Sequence, residues 1–202
     1  MTISRRKLIQ GSIGVGILGG LSLLKPKDIG SSHSEYFENL SQALKTAEFS
    51  KPTLIIDKQR LDINIATLKQ HISGRYRYRI VVKSLPSIPL LKHVSKETNS
   101  LRFMVFDESF LITMLDTFPE GDFLLGKPLP SLGAKKILRS TNNDSGIAIR
   151  WLVDSLPRLI NYRNLAEDRK QKLRINLEID VGLHRGGFSS DQAISEALKI
   201  IK

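Results

Sequence analysis

The chain has 202 residues, 41% of them hydrophobic and 25% charged, with a formal net charge of +11. That composition belongs to a globular domain with a real core and excludes a disordered or fibrous chain. There is no cysteine, which excludes a disulfide framework, a thiolate zinc site and a cysteine nucleophile.

Residues 1–30 read as a targeting segment. Ser4-Arg5-Arg6-Lys7 is followed by a glycine-rich apolar run from about Ile9 to Leu24, then by Lys25-Pro26-Lys27. A cationic start before a moderately apolar stretch is the plan of a signal peptide. The adjacent arginines resemble a twin-arginine export signal, which implies the twin-arginine export machinery as a partner and a periplasmic location. The run is shorter than the roughly 20 residues that span a bilayer comfortably. No A-x-A cleavage site is evident, so a retained membrane anchor facing the periplasm stays open beside a cleaved signal. These flanking cations carry part of the positive charge; the remainder fits an anionic ligand, a nucleic acid, a membrane surface or a plain basic surface.

Residues 31–50 read as a linker with a short amphipathic helix, because Tyr36, Phe37, Leu40 and Leu44 recur at helical spacing. From Lys51 the pattern alternates. Short apolar runs at Thr53–Ile56, Arg79–Val82, Leu101–Phe106, Phe123–Leu125, Ile147–Val153 and Arg174–Ile179 predict six strands. Helical stretches follow Asp57, with Leu61, Ile65 and Leu68 on one face. Others cover Ser109 to Leu115, the segment up to about Lys172, and Asp191 to Ile201 with Ile194, Leu198 and Ile201 aligned. Strands alternating with helices imply βα units and a parallel sheet. A barrel and a doubly wound sheet both satisfy this. The absence of G-x-G-x-x-G and of G-x-x-x-x-G-K-[ST] favours the barrel. A (β/α)₈ barrel needs eight strands, so residues 51–202 read as an incomplete α/β barrel of TIM type.

Two segments carry candidate chemistry. Lys83 ends the second predicted strand, and active sites of parallel barrels lie at the C-terminal ends of strands. An amine placed there and partly desolvated can condense with an aldehyde. Glu178-Ile179-Asp180-Val181-Gly182-Leu183-His184-Arg185-Gly186-Gly187-Phe188 ends the sixth. Its glycines permit tight turns and close ligand approach, and Arg185 offers a fork of donors to an anionic oxygen. The alternative readings are a solvated strand-end lysine and an ordinary βα loop.

Three segments in order resemble one family. Lys51-Pro52-Thr53-Leu54-Ile55-Ile56-Asp57, with Leu61 and Asn64-Ile65, resembles the "TPxLxxDxxxLxxNI" opening of the alanine racemase N-terminal-domain family. Val81-Val82-Lys83-Ser84 resembles its "vvK" strand, and Glu178 to Phe188 resembles its "xxDxGxxRxGf" segment. The resemblance implies a barrel that binds pyridoxal phosphate (PLP), followed by a C-terminal β-domain. It makes Lys83 the PLP lysine and the acid/base at the substrate Cα. It places Arg185 on the phenolic oxygen of the cofactor, with Glu178 orienting Arg185 by a charge-assisted pair, and it adds Asp180, Gly182 and His184 to the cofactor loop. Glu178 stands where many racemases have a lysine, and the E-I-D-V-G and H-R pairing is closer to D-threonine aldolase and D-serine dehydratase relatives.

The expectation is an exported PLP-dependent lyase acting on D-amino or β-hydroxy amino acids, with a small amino-acid substrate and a homodimeric full-length form. An alanine-type racemase and a non-catalytic PLP-binding remnant are the alternatives. The chain departs from the aldolase branch around the lysine, where "RPHxKTHK" is replaced by Arg77-Tyr78-Arg79-Ile80-Val81-Val82-Lys83-Ser84-Leu85. A divalent metal enters only through family segments further C-terminal; no metal ligand is assigned here, and His184 reads as a loop histidine. Arg75-Tyr76-Arg77-Tyr78-Arg79 has the alternation of a single-strand nucleic-acid binder. It fits a strand start equally well, and no nucleic-acid partner is assigned. Trp151 reads as core.

Overall fold

The computed structural model describes residues 30–72, 74–141 and 148–201. The expected export segment, residues 1–30, lies outside them except for Gly30. Among the described residues no helix is long and apolar enough to cross a membrane. The chain divides between Ile55 and Ile56 into two units.

In the first unit, α1 (Glu35–Thr46) is the expected helix. Its half-buried Tyr36, Leu40 and Leu44 recur every four residues, while Phe37 is exposed. Glu35 and Glu38 in its first turn and Lys45 in its last complement the helix dipole. The run Thr53–Ile56 is not a strand. A strand exists only through a ladder with a neighbour, and β-branched apolar residues supply propensity alone.

The second unit begins with α2 (Lys58–Ile72), whose first turn is capped by Asp57 Oδ1 accepting from Arg60 N at 3.0 Å. Ile65 is buried, flanked by half-buried Leu61 and Leu68, as the spacing predicts. Then follow β1 (Ile80–Val81), a 3₁₀ turn Val82–Ser84, α3 (Ile88–Thr98), β2 (Arg102–Val105), α4 (Glu108–Thr117) and β3 (Asp122–Leu125). The chain continues through α5 (Ser131–Ser140), β4 (Ala148–Val153), α6 (Leu156–Asp168), β5 (Arg174–Leu177) and α7 (Asp191–Ile200). The five strands form one parallel sheet in sequential order, β1-β2-β3-β4-β5.

That order decides between the two α/β architectures. Right-handed crossovers between strands that never reverse direction across the sheet place every helix on the same face. A doubly wound sheet has a switch point where the order reverses, and this sheet has none. Burial agrees. Ile80, Phe103, Val105, Phe123, Leu125, Ile149, Trp151 and Val153 are buried, while the alternate residues Val81, Arg102, Met104, Asp122, Leu124, Arg150 and Leu152 are half-exposed. One face is sealed by helices, and successive helices α4 to α7 pack on one another. The other corresponds to a barrel interior. The fold is an arc of a TIM-type (β/α) barrel.

The sealed layer is aromatic. Phe103 stacks on Phe123 at 5.6 Å and 21°, and Trp151 meets Tyr162 edge-to-face at 5.3 Å and 73°. On the open face, Asp122 receives Arg79 at 2.9 Å and both Nε and Nη2 of Arg150 at 2.9 and 3.0 Å. Burial raises the Asp122 pKa, but these two guanidinium partners outweigh it and hold the carboxyl below its ordinary value.

Three sequence readings need correction beside the missing first strand. The helix α3 is not among the predicted helices; Pro89 falls in its first turn, where the missing N–H costs no helical bond. The helix α5 was not foreseen. It is short, it contains Gly133, and it is flanked by serines that mask its Ala134–Ile137–Leu138 stripe. A Cβ on Gly133 would lie 2.6 Å from Glu108 Oε2 on the neighbouring helix, so that carboxylate end would have to move aside. The helix α7 was foreseen, but its buried position is Ala197, while Leu198 and Ile201 are exposed.

Candidate active site

The C-terminal ends of the five strands collect the residues with chemistry. Lys83 stands in the 3₁₀ turn directly after β1, anchored by buried Val82 beside it. Its side chain is exposed, with Nζ 4.0 Å from the ring centroid of Phe106, the residue that follows β2. Gly126 follows β3 and donates its N–H to Val105 O at 2.8 Å. A Cβ on Gly126 would come within 2.4 Å of the Phe106 ring. Three adjacent strand ends thus supply the amine, the ring that carries it and the space in which that ring lies.

On the far side of the sheet, β4 is followed by Asp154, whose Oδ1 accepts from Ser155 Oγ at 3.1 Å. β5 leads into the loop 178–188. Glu178 N donates to Val153 O at 2.8 Å, Phe188 N to Glu178 O at 2.8 Å, and Asp180 N to Phe188 O at 3.0 Å, closing the loop on itself. Asp180 is its internal clasp: Oδ1 accepts from the backbones of Gly182 and His184, both at 3.0 Å, and Oδ2 pairs with His184 Nδ1 at 2.8 Å. The Gly182 N–H, then the His184 backbone and ring, hold the Asp180 carboxyl below its ordinary pKa.

The glycines of this loop are dictated by backbone geometry. Gly182, Gly186 and Gly187 have φ of 120°, 142° and 103°, where side-chain-bearing residues are strained. At Gly187 a Cβ would also collide with backbone, 2.8 Å from Asp180 N.

Sequence reasoning expected Glu178 to pair with Arg185, and the structure does not form that pair. Glu178 Oε2 is buried without a hydrogen-bond partner, and Arg185 is exposed. A Cβ on Gly186, the residue after Arg185, would lie 3.7 Å from both Glu178 Oε2 and Asp154 Oδ2. Two carboxylates therefore flank the peptide that carries the guanidinium. Asp154, Phe106 and Gly126 were not singled out from the sequence; their one legible signal was position, since Phe106 is the last residue of a predicted strand and Gly126 and Asp154 each directly follow one. Lys83 and Arg185 share the C-terminal edge of the sheet at its first and last strands. Among the described residues no group of three acids or histidines could hold a metal ion.

Comparison with known proteins agrees with this architecture. A family profile described as alanine racemase, N-terminal domain, matches residues 56–202. No curated protein matches the chain. Among solved structures, an alanine racemase-like protein from Idiomarina loihiensis is similar at a TM-score of 0.65 and 21% identity, covering 77% of this chain and 41% of that one. A D-threo-3-hydroxyaspartate dehydratase H351A mutant is similar at 0.64 and 18%, covering 80% and 43%. A D-threonine aldolase from Filomicrobium marinum is similar at 0.62 and 17%, covering 74% and 41%. The chain thus spans about two-fifths of the length of these proteins.

Proposed function

Since the chain belongs to the alanine racemase N-terminal-domain family, a family that binds pyridoxal phosphate, we propose that its strand-end rim is the cofactor-bearing half of an amino-acid-transforming site. The observation that carries this is Glu178 Oε2, a buried carboxylate oxygen with no partner, in the same loop as an exposed guanidinium and on the same sheet edge as Lys83. A buried unpaired acid is costly unless a cation completes it. The donor set fits the cofactor: an amine for its aldehyde, a guanidinium for its phenolic oxygen and an anion to hold that guanidinium.

Bound there, the cofactor supplies an electron sink for charge developed at a substrate carbon. The protein's residues do the rest. Lys83 would condense with the aldehyde, releasing water, and would carry the proton at the substrate Cα. Arg185 would donate to the ring oxygen, with Glu178 as the anion that would hold it there. Asp180, Gly182 and His184 keep the loop in the shape that presents Arg185.

The favoured reaction is a lyase reaction on D-amino or β-hydroxy amino acids, supported by a glutamate at 178 and by histidine before Arg185. Incubation with D-threonine or D-3-hydroxyaspartate should release glycine and acetaldehyde, or ammonia and a keto acid. Epimerisation at Cα alone, D-threonine to L-allo-threonine with no such product, would assign a racemase instead. Full-length protein incubated with PLP should turn yellow, and Lys83→Ala should not; a colourless wild type rejects the proposal. Export belongs to the same reading: Arg5→Lys with Arg6→Lys should keep the protein out of the periplasmic fraction. So does a homodimer, which sedimentation would show as twice the chain mass.

A further inference from the structure

The Arg75–Arg79 segment is left unused by the rim just described, and it builds a second concave site at the opposite, N-terminal end of the strands. Lys69 and Ile72 at the end of α2, Tyr76, Arg77 and Tyr78 before β1, and Ser100 and Arg102 at the start of β2 line a cavity of about 420 Å³. That lies within the size range of small-ligand pockets.

Three features make it more than a basic surface. First, its charge is uncompensated. Lys69, Arg77 and Arg102 make no ion pair among the described residues, and no carboxylate lines the cavity. The nearby Arg79 and Arg150, in contrast, are both committed to Asp122. The C-terminal ends of α2 and α3 face this region and contribute about half a negative charge each. Against three cations, roughly two positive charges remain.

Second, its floor is fixed. Ser95 and Ser100 are the two buried polar residues among those described. Ser95 Oγ donates to Ser100 O at 2.7 Å, and Ser100 Oγ donates to Tyr78 O at 2.7 Å. These bonds tie the end of α3 to both strand starts, so the wall does not have to order itself on binding. Third, Tyr76 stands at the rim, 61% exposed, with the Arg75 guanidinium 5.4 Å from its ring centroid. An exposed ring beside guanidinium groups is a platform for a flat heterocycle.

We propose that this cavity binds a nucleoside phosphate, with its phosphate held by Lys69, Arg77 and Arg102 and its base against Tyr76. The concavity accommodates one such unit; a single-stranded nucleic acid would need a groove that tracks several nucleotides. This site is independent of the rim chemistry proposed above.

The test is calorimetric titration of ADP, inorganic phosphate and a short oligonucleotide into the PLP-loaded full chain at low salt, with free PLP removed. ADP should bind once per chain, more weakly as salt rises. The Lys69→Ala, Arg77→Ala double variant removes two exposed charges and should weaken ADP by at least tenfold, the scale of one lost charge-assisted hydrogen bond. Tyr76→Ala should weaken ADP while leaving phosphate unchanged. Lys83→Ala should bind ADP like wild type, which separates this site from the cofactor rim. Absence of ADP binding, ADP binding indifferent to the double variant, equal effects of Tyr76→Ala on ADP and phosphate, or an oligonucleotide far tighter than ADP would each overturn the proposal.

Discussion

Replacing Gly187 by alanine should break the loop that presents Arg185, and Gly182 provides the control. Both glycines have φ beyond +100°. A side-chain-bearing residue there carries a strain of about 1–3 kcal/mol. At Gly182 nothing lies within 4 Å of an added Cβ, so strain is the whole cost, and the exposed loop relaxes part of it. At Gly187 the added Cβ would also sit 2.8 Å from Asp180 N and 3.0 Å from Glu178 O. Those atoms belong to the two hydrogen bonds that join Phe188 to Glu178 and Asp180. Separating them to make room forfeits those bonds, each about 1 kcal/mol net. Gly187→Ala should therefore cost about 2 kcal/mol more than Gly182→Ala, read as a difference in urea midpoints at unchanged slope. Equal midpoints for the two variants would refute the claim that backbone contact at Gly187 sets the loop's shape.

Other perturbations probe the scaffold. Burial pushes the Tyr162 hydroxyl up to about 12, against opposing pulls from Arg158 and the bond to Leu129 O. The folded state thus holds that proton more tightly than the unfolded chain does. The resulting stability is complete below the unfolded tyrosine value near 10 and disappears as pH climbs toward 12. Tyr162→Phe should lack this alkaline loss in pH-dependent melts. It should cost only about 1 kcal/mol at neutral pH, since Arg158 also donates to Leu129 O at 3.0 Å. Gly126→Ala should cost about 1–2 kcal/mol through collision with the Phe106 ring, and close to nothing in a Phe106→Ala background; additive costs in that double-mutant cycle would contradict the contact. Asp122 has a depressed folded pKa, so its contribution is present above the unfolded carboxylate value and is lost as pH falls. Asp122→Asn should destabilise at pH 7 and flatten the acid limb of the melting profile, and an unchanged acid limb would argue against the Arg79–Asp122–Arg150 cluster.

The barrel class was legible because apolar runs of strand length alternate with helical stripes, and β1 to β4 bury Phe, Leu, Ile, Val or Trp at alternate positions. Position at a strand's end was legible too, which is how Lys83 and the 178–188 loop stood out. Contacts between strand ends were not. That Phe106 lies under the Lys83 amine depends on β1 and β2 pairing Ile80 with Phe103, a register that local pattern does not encode. The failure at Thr53–Ile56 has the same root, since propensity is local and a ladder is not. The Glu178–Arg185 pair was inferred from resemblance, and in the structure Glu178 Oε2 is buried without a partner while Arg185 is exposed.

The central claim is that one amine, among all the lysines of this chain, captures the cofactor. Reducing the PLP-incubated full chain with borohydride, digesting it and sequencing the labelled peptide by mass spectrometry tests that directly. The phosphopyridoxyl label should fall on Lys83 in stoichiometric yield. A label spread over several surface lysines, or concentrated on a different one, would contradict the claim.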